Sequence, residues 1–470
     1  MKKIFKTLTA ISCAAILATG MVACNEEKEI INAYDIAVKN GFVGTEEEWL
    51  SSLRGKDGEN AADLDIKDIY NAAKEEGYTG TFLEFLTEYL DVDVQEDNDT
   101  KTIAENMLSV VSIYCGFYKT VTTSTGWPQY NTKKETEYYA SAGSGVIIDL
   151  NKEAGNALIV TNYHVIYDNE CETKNHISDS IYLYGYGAFN MFSSETGKDE
   201  GGEGMLATYV GGAMDYDIAV LKVEGSEYIK NAEVRKATIG DSDSIQPGEK
   251  VFAIGNPDGA GIAVTNGVIS VESEYIQMSS TDGSGTLVDY RVMRTDAAIN
   301  HGNSGGALFN AEGELIGITN AKNVDDEVDN MGYALPITQV KYLCDNILDN
   351  GGVLQRAMLG VMVRQTDSTA VYKDGRVSIQ ESFEVDSAKI ESTAAAYHKL
   401  NYKDQIQSLT IIPQGETEGV KHTLSRRFQL NDLLLKVRKG DTVVLGVIRD
   451  GSEVNVTIVY DKDSYFVEYN

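Results

Sequence analysis

Three short stretches of this 470-residue chain carry side chains that together could turn a hydroxyl into a nucleophile. His164 stands in Thr161-Asn162-Tyr163-His164-Val165, Asp217 in Asp215-Tyr216-Asp217-Ile218-Ala219-Val220-Leu221, and Ser304 in Gly302-Asn303-Ser304-Gly305-Gly306. A serine hydroxyl is a poor nucleophile at its own pKa; it needs a base within hydrogen-bond reach, and that base needs an orienting acid. Taken singly, each residue has a plainer reading. A His beside a strand is usually structural, an Asp before a strand usually serves a turn, and Gly-Asn-Ser-Gly-Gly is first of all a loop signal. Their conjunction, in the order His, Asp, Ser, points to acyl transfer.

Such chemistry requires elements that deliver the three groups. Leu158-Ile159-Val160 predicts a short apolar strand ending at His164, and Ile218 to Val223 predicts another immediately after Asp217. Glycines on both sides of Ser304 free the backbone there. The amide N–H groups of Ser304 and its neighbours can then turn toward one point, as an oxyanion hole requires.

Further stretches extend the pattern: Ser144-Gly145-Val146-Ile147-Ile148, Ile239-Gly240-Asp241-Ser242-Asp243, Ala253-Ile254-Gly255-Asn256-Pro257, Thr295-Asp296-Ala297-Ala298-Ile299-Asn300 and Gly332-Tyr333-Ala334-Leu335-Pro336-Ile337. Over residues 101 to 350 the chain resembles the HtrA/Deg family of trypsin-fold serine proteases. The resemblance implies a mainly β protein with a chymotrypsin-like double β-barrel. It makes His164 the general base, Asp217 its orienting acid, Ser304 the nucleophile, and the backbone N–H groups of Gly302 and Ser304 the oxyanion donors. It also implies a homotrimer and no metal or nucleotide cofactor.

Several positions qualify the resemblance. His301 stands where the family commonly has Pro, and a longer segment, 168 to 214, separates His164 from the Asp strand. Being three residues before Ser304 on one tight loop, with no adjacent strand, His301 is not expected to be the base. In this fold the residue six before the nucleophile lies at the floor of the primary pocket. Here it is Ala298, which offers no carboxylate to Lys or Arg, so cleavage is expected after Val or Ala. Asn303 replaces the Asp with which digestive relatives bind a freshly cut N-terminus, so control is expected to rest on loop ordering around residues 272 to 290.

The length allows about three domains, and 42% hydrophobic residues suffice for proper cores. Forty basic against 72 acidic side chains give a net charge of −32, which excludes nucleic acid as a partner. The acidity is uneven: residues 24 to 100 hold six basic and 21 acidic side chains, residues 351 to 470 hold 15 and 16. A solvated surface is the plain reading.

Residues 1–23 read as an export signal, with Lys2, Lys3 and Lys6 ahead of an apolar run from Leu8 to Ala23. Met21-Val22-Ala23-Cys24 resembles a bacterial lipobox, which implies lipidation of Cys24 and attachment to the membrane through acyl chains. Over 24–90, Ala33 to Thr45 is echoed 36 residues later by Ile69 to Thr81, so two short helical repeats with N-caps at Thr45 and Thr81 are expected. They serve as spacer or contact module. Residues 91–100 read as an acidic linker. Of the remaining cysteines, Cys115, Cys171 and Cys344 cannot all pair, and no spacing suggests a metal site.

Residues 351–470 resemble a divergent PDZ domain, an α+β fold. Leu359-Gly360-Val361 would form its carboxylate-binding loop, 399 to 409 a segment before the central strand, 410 to 428 an insertion, and Gly440 to Gly451 the closing strand pair. Val443, Leu445 and Val447, then Val454, Val456 and Ile458, alternate to one side around an Asp450-Gly451 turn. A PDZ fold takes extended peptide ends by strand addition. The combined expectation is an exported, lipid-anchored serine endopeptidase facing the envelope exterior and acting on unfolded or misfolded proteins. The alternatives are a chaperone or peptide-binding protein that rarely cuts, and a stress sensor that cuts one partner.

Overall fold

The computed structural model describes residues 99–125, 131–320, 331–386 and 394–469, with the single residues Thr45 and Lys74. The signal segment, Cys24 and, but for those two residues, the repeats lie outside the described residues. Asp99 and Thr100, expected to close the acidic linker, instead open helix α1 (Asp99–Met107), where an aspartate suits the N-terminal end of the helix dipole.

The next strands are β1 (Val110–Thr125), β2 (Asn131–Asn151), β3 (Asn156–Thr161) and β4 (Ser180–Tyr184), then a small pair, β5 (Phe192–Ser193) and β6 (Lys198–Asp199), then β7 (Met205–Ala213) and β8 (Ile218–Val223). Six of them close a barrel in the order β1-β2-β3-β8-β7-β4. Alternation of side chains along each strand sorts them between two cores. Val111, Ile113, Cys115 and Phe117 of β1 fill the barrel with Ile147, Ile159, Ala219 and Leu221. Their neighbours Val110, Val146, Val160, Ile218 and Val220 point the other way, into a second core. Strands buried on both faces lose the apolar-polar alternation of a surface strand, which is why β3 and β8 read as continuous apolar runs.

That second core is shared with a second barrel. Its strands are β9 (Thr238–Ile239), β10 (Lys250–Gly255), β11 (Ala263–Ser279), β12 (Leu287–Thr295), β13 (Ala307–Asn310), β14 (Glu314–Asn320) and β15 (Gly332–Pro336). They run in the order β13-β10-β11-β12-β15-β14-β9, and pairing of β13 with β14 closes the ring. Val251, Ala253, Ile269, Met293, Leu308 and Ile316 form its own interior, while Ile254, Val292, Ala307, Phe309 and Ile318 join the shared core. Two barrels back to back make the double-barrel architecture. Short helices α2 (Tyr163–Ile166) and α3 (Glu227–Asn231) follow β3 and β8. Residues 272 to 290 are not a loop: β11 runs through to Ser279 and β12 begins at Leu287, so only the turn between them is irregular.

Helix α4 (Ile337–Asp349) closes the shared core with Ile337, Val340, Leu343 and Ile347. Beyond it, β16 (Leu354–Ala357) pairs with the last strand, while β17 (Val363–Lys373), β18 (Arg376–Val385) and β19 (Gln405–Ile412) begin a sheet. The chain continues through β20 (Val420–Thr423), helix α5 (Arg427–Leu434), β21 (Thr442–Arg449), β22 (Ser452–Val459) and β23 (Phe466–Tyr469). The sheet order is β17-β18-β19-β21-β22, with β20 against β19. Val443, Leu445, Val447, Val456 and Ile458 enter its core as the alternation requires. Asp450 and Gly451 carry φ values of 50° and 79° in the tight hairpin turn, which suits their residue types. One expectation needs correction: residues 405–409 already belong to a strand. The segment 410–428 holds the end of β19, the whole of β20 and the start of α5.

Candidate active site

β3 hands the chain to the buried Asn162 and then to α2, where Tyr163, Val165 and Ile166 turn inward. His164 is left facing the cleft, its side chain 23% exposed. On the other side Asp217, fully buried, caps a turn at Met214–Tyr216 in the left-handed conformation (φ 51°, ψ 41°), a region an aspartate enters more readily than most residues. This places both carboxylate oxygens on the histidine. The His164 backbone N–H donates to Oδ1 at 2.9 Å, and His164 Nδ1 lies 2.7 Å from Oδ2. A carboxylate only accepts, so Nδ1 carries a proton, and in the neutral imidazole the lone pair is on Nε2.

Two asparagines complete the setting of Asp217. Asn320, at the end of β14, donates from Nδ2 to Oδ2 at 2.9 Å, and Asn162 Nδ2 donates to the Asp217 backbone carbonyl at 3.0 Å. Tyr290 lies nearby; burial and the adjacent Asp217 carboxylate push its phenol pKa up.

The Ser304 loop is pinned from three sides. Thr319 Oγ1 donates to the Asn303 carbonyl at 2.6 Å, and Gly305 N–H donates to the Thr319 carbonyl at 2.9 Å. Ser144 grips it twice, its N–H donating to the Ser304 carbonyl at 2.8 Å and its hydroxyl to the Gly302 carbonyl at 2.7 Å. That hydroxyl also accepts from the Asn256 N–H at 2.8 Å. Gly305 (φ 81°) is packed so closely that a Cβ would fall 2.2 Å from both the Ser144 carbonyl and Thr161 Oγ1, and 3.0 Å from the Asn162 N. Ser304, only 4% exposed, is thereby held against the strand end that carries His164. Gly143 marks the same junction, since a Cβ there would meet Val165 Cγ1 at 2.6 Å and the Ser304 carbonyl at 3.3 Å.

Other sequence-predicted residues fall as follows. Gly302 (φ 88°) lies against Asn256 and Asp258 with no room for a side chain. His301 is exposed, and its carbonyl accepts from the Asp258 N–H at 2.9 Å. Ala298 is exposed and its carbonyl accepts from Thr265 Oγ1 at 2.9 Å. Among the described residues Cys115, Cys171 and Cys344 are buried free thiols, and burial pushes Cys344 up to about 12. The roles of Ser144, Asn162 and Asn320 were not read from the sequence; nothing local to those positions signals them.

A cavity of about 660 Å³ between residues 202–206 and 223–232 touches none of the three central residues. A smaller one, about 120 Å³, separates Leu359-Gly360-Val361 from one face of α5.

The trypsin-like peptidase domain family matches residues 143–318, a span that contains His164, Asp217 and Ser304. The serine protease Do-like HtrA of Lactococcus lactis subsp. cremoris is 30% identical over 345 residues, covering 70% of this chain and 73% of that protein. The chain belongs to the HtrA family of serine proteases. Within that family it is 29% identical over 336 residues to the Do-like HtrA of Bacillus subtilis, covering 71% of this chain and 66% of that one. It is 31% identical over 331 residues to the periplasmic serine endoprotease DegP of Escherichia coli, covering 70% and 59%. The chain thus spans less than two thirds of the length of the Bacillus and Escherichia relatives, 66% and 59%.

Proposed function

We propose that this chain is an exported serine endopeptidase that degrades or processes unfolded or misfolded envelope proteins through a covalent acyl-enzyme. The observation that carries the reading is the 2.7 Å contact between His164 Nδ1 and the buried Asp217 Oδ2, in a family member whose Ser304 loop packs onto the same strand end. In the first half-reaction Ser304 Oγ bonds to the scissile carbonyl carbon while His164 Nε2 takes the hydroxyl proton. The N–H groups of Gly302 and Ser304 receive the developing oxyanion. Collapse breaks the C–N bond, and the imidazolium returns its proton to the leaving amine. Water then repeats the sequence on the ester. Asp217 stays ionised throughout, holding the tautomer and stabilising the imidazolium.

Ala298 at the floor of the primary pocket favours small and medium aliphatic residues before the cut. The 101–350 region is the catalytic part and 351–470 a PDZ-like module with Leu359-Gly360-Val361 as its carboxylate loop. Residues 1–23 direct export, Cys24 takes a lipid anchor, 24–90 act as helical repeats ahead of a short acidic linker, and the active form is a homotrimer. Support for export comes from the periplasmic Escherichia relative.

The test is labelling with a fluorophosphonate probe, with and without a peptide ending in a free carboxylate. Wild-type protein should label and Ser304→Ala should not. Absence of labelling under both conditions would replace the endopeptidase with a holdase.

A further inference from the structure

We infer that the groove between Leu359–Val363 and α5 selects chain ends bearing an acidic side chain two residues before the terminal one, with Arg427 as the selecting group. The inference rests on the proposed reading of this groove as a peptide site and adds the chemistry of its ligand.

One face of α5, at the helical spacing i, i+3, i+4 and i+7, lines the groove with Arg427, Leu430, Asn431 and Leu434. Leu359, Val361 and Val363 line it opposite. β17, which starts at Val363, is the edge strand of its sheet, so its outer row of backbone N–H and carbonyl groups is available to an added strand. The walls suit an extended, partly apolar peptide.

Charge narrows the choice. Among the described residues every arginine except Arg356, Arg376 and Arg427 has a carboxylate within 4.0 Å. Two of these three line this one groove, in a chain whose net charge is −32. Arg356 bonds only neutral side chains, Asn431 and the Tyr469 phenol, and Arg427 is not spent on a neighbour. Arg356 reaches Asn431 Oδ1 at 3.4 Å, and its buried Nε–H has no acceptor among the described residues. Arg427 holds its guanidinium 5.9 Å from the Tyr275 ring centre, while the nearby Glu381 is already taken by the Arg426 side chain and by the backbone N–H of Arg427.

Spacing assigns the two cations. Arg356 sits beside Asn431, one helical turn beyond Arg427, a rise of about 6 Å. An extended chain covers about 6.6 Å in two residues, and residues two apart face the same way. With the terminal carboxylate at Leu359-Gly360-Val361 near Arg356, the side chain two positions earlier faces Arg427.

The experiment uses the full chain carrying Ser304→Ala, so that nothing is cut, and measures fluorescence anisotropy of labelled Gly-Gly-Glu-Ala-Val, the Gln analogue, the Lys analogue and the C-terminal amide of the Glu peptide. The Glu peptide should bind about tenfold more tightly than the Gln peptide, as for one added charge-assisted hydrogen bond. Adding Arg427→Gln should abolish that difference, and Arg427→Glu should make the Lys peptide the preferred one, an inversion that an unfolded variant cannot give. Equal affinity for Glu and Gln peptides, with the amide still weaker, would overturn the acidic preference and leave the peptide site standing. Failure of every peptide to bind would overturn both.

Discussion

Arg291 on β12 and Asp432 on α5 form an ion pair in which the two side chains are 1% and 3% exposed. The same guanidinium reaches Asp243 Oδ1 at 2.6 Å and Ser273 Oγ at 3.1 Å, and it lies 3.5 Å from the centre of the Phe428 ring. Gln339 on α4 donates to the other Asp432 oxygen at 2.8 Å. One buried charge cluster therefore joins the second barrel, α4 and the helix that lines the C-terminal groove. Arg426 reinforces the joint by bridging Glu272 at 3.0 Å and Glu381 at 3.1 Å.

Such a cluster is costly to break and cheap to replace. Asp432→Ala leaves the buried Arg291 with Asp243 as its remaining carboxylate partner, and a loss of about 1–3 kcal/mol is expected in denaturant unfolding. The double substitution Arg291→Met with Asp432→Leu removes both charges and should recover most of that loss. If the double variant unfolds as readily as the single one, the cluster acts through packing against Phe428 rather than charge.

Asn320 should behave as a positioning residue for the histidine–aspartate pair. It is buried, and its Nδ2–H is one of the donors that fix Asp217 Oδ2. Asn320→Leu removes a donor from a buried carboxylate, at about 1–3 kcal/mol, or roughly five- to 150-fold in kcat. KM should change little, and Asn320→Ser should restore part of the rate. Asp217→Asn should cost far more, about 10⁴-fold, because the amide no longer enforces the Nδ1–H tautomer.

Ser144 makes the clasp on the Ser304 loop, the proposed oxyanion loop, a testable feature. Ser144→Ala leaves the Gly302 carbonyl and the Asn256 N–H without the partner they share. The expected outcome is a fall in kcat of about ten- to a hundredfold with KM nearly constant, as for a loop that in the proposed mechanism holds the transition state more than the substrate. Fluorophosphonate labelling should slow in parallel. A raised KM at unchanged kcat would assign Ser144 to substrate binding instead.

The histidine–aspartate pair was legible because each member carries a local context: an apolar run ending at His164, and one beginning after Asp217 that became β8 at the predicted residues. The clasp and the second donor were not, because they join residues 158 and 103 positions apart, a separation at which neighbours in sequence say nothing. The β17–β18 hairpin did leave a local mark, Asp374-Gly375, with φ values of 52° and 78°. β17 is almost wholly exposed and β18 is buried only at Phe383–Val385, so no apolar alternation drew attention to it. Residues 272 to 290 were misread as a loop for a related reason: register shifts between Ile269 and Glu274 break the period by which a strand is recognised.

His422 on β20 gives a pH dependence with a definite sign. Burial, with Lys436 nearby, holds its imidazole below the usual 6.5, and its Nε2 is buried without a partner among the described residues. A folded-state pKa below the unfolded value means that the unfolded chain takes up the proton first. Above about pH 6.5 the histidine is neutral in both states and has no effect. As the pH falls from there toward the depressed folded value, stability is lost. Thermal unfolding followed from pH 7.5 to 5 should therefore show a decline that His422→Gln flattens, while the two proteins differ little in slope above pH 7. An unaltered slope below pH 6.5 in the variant would assign the acid sensitivity to other groups.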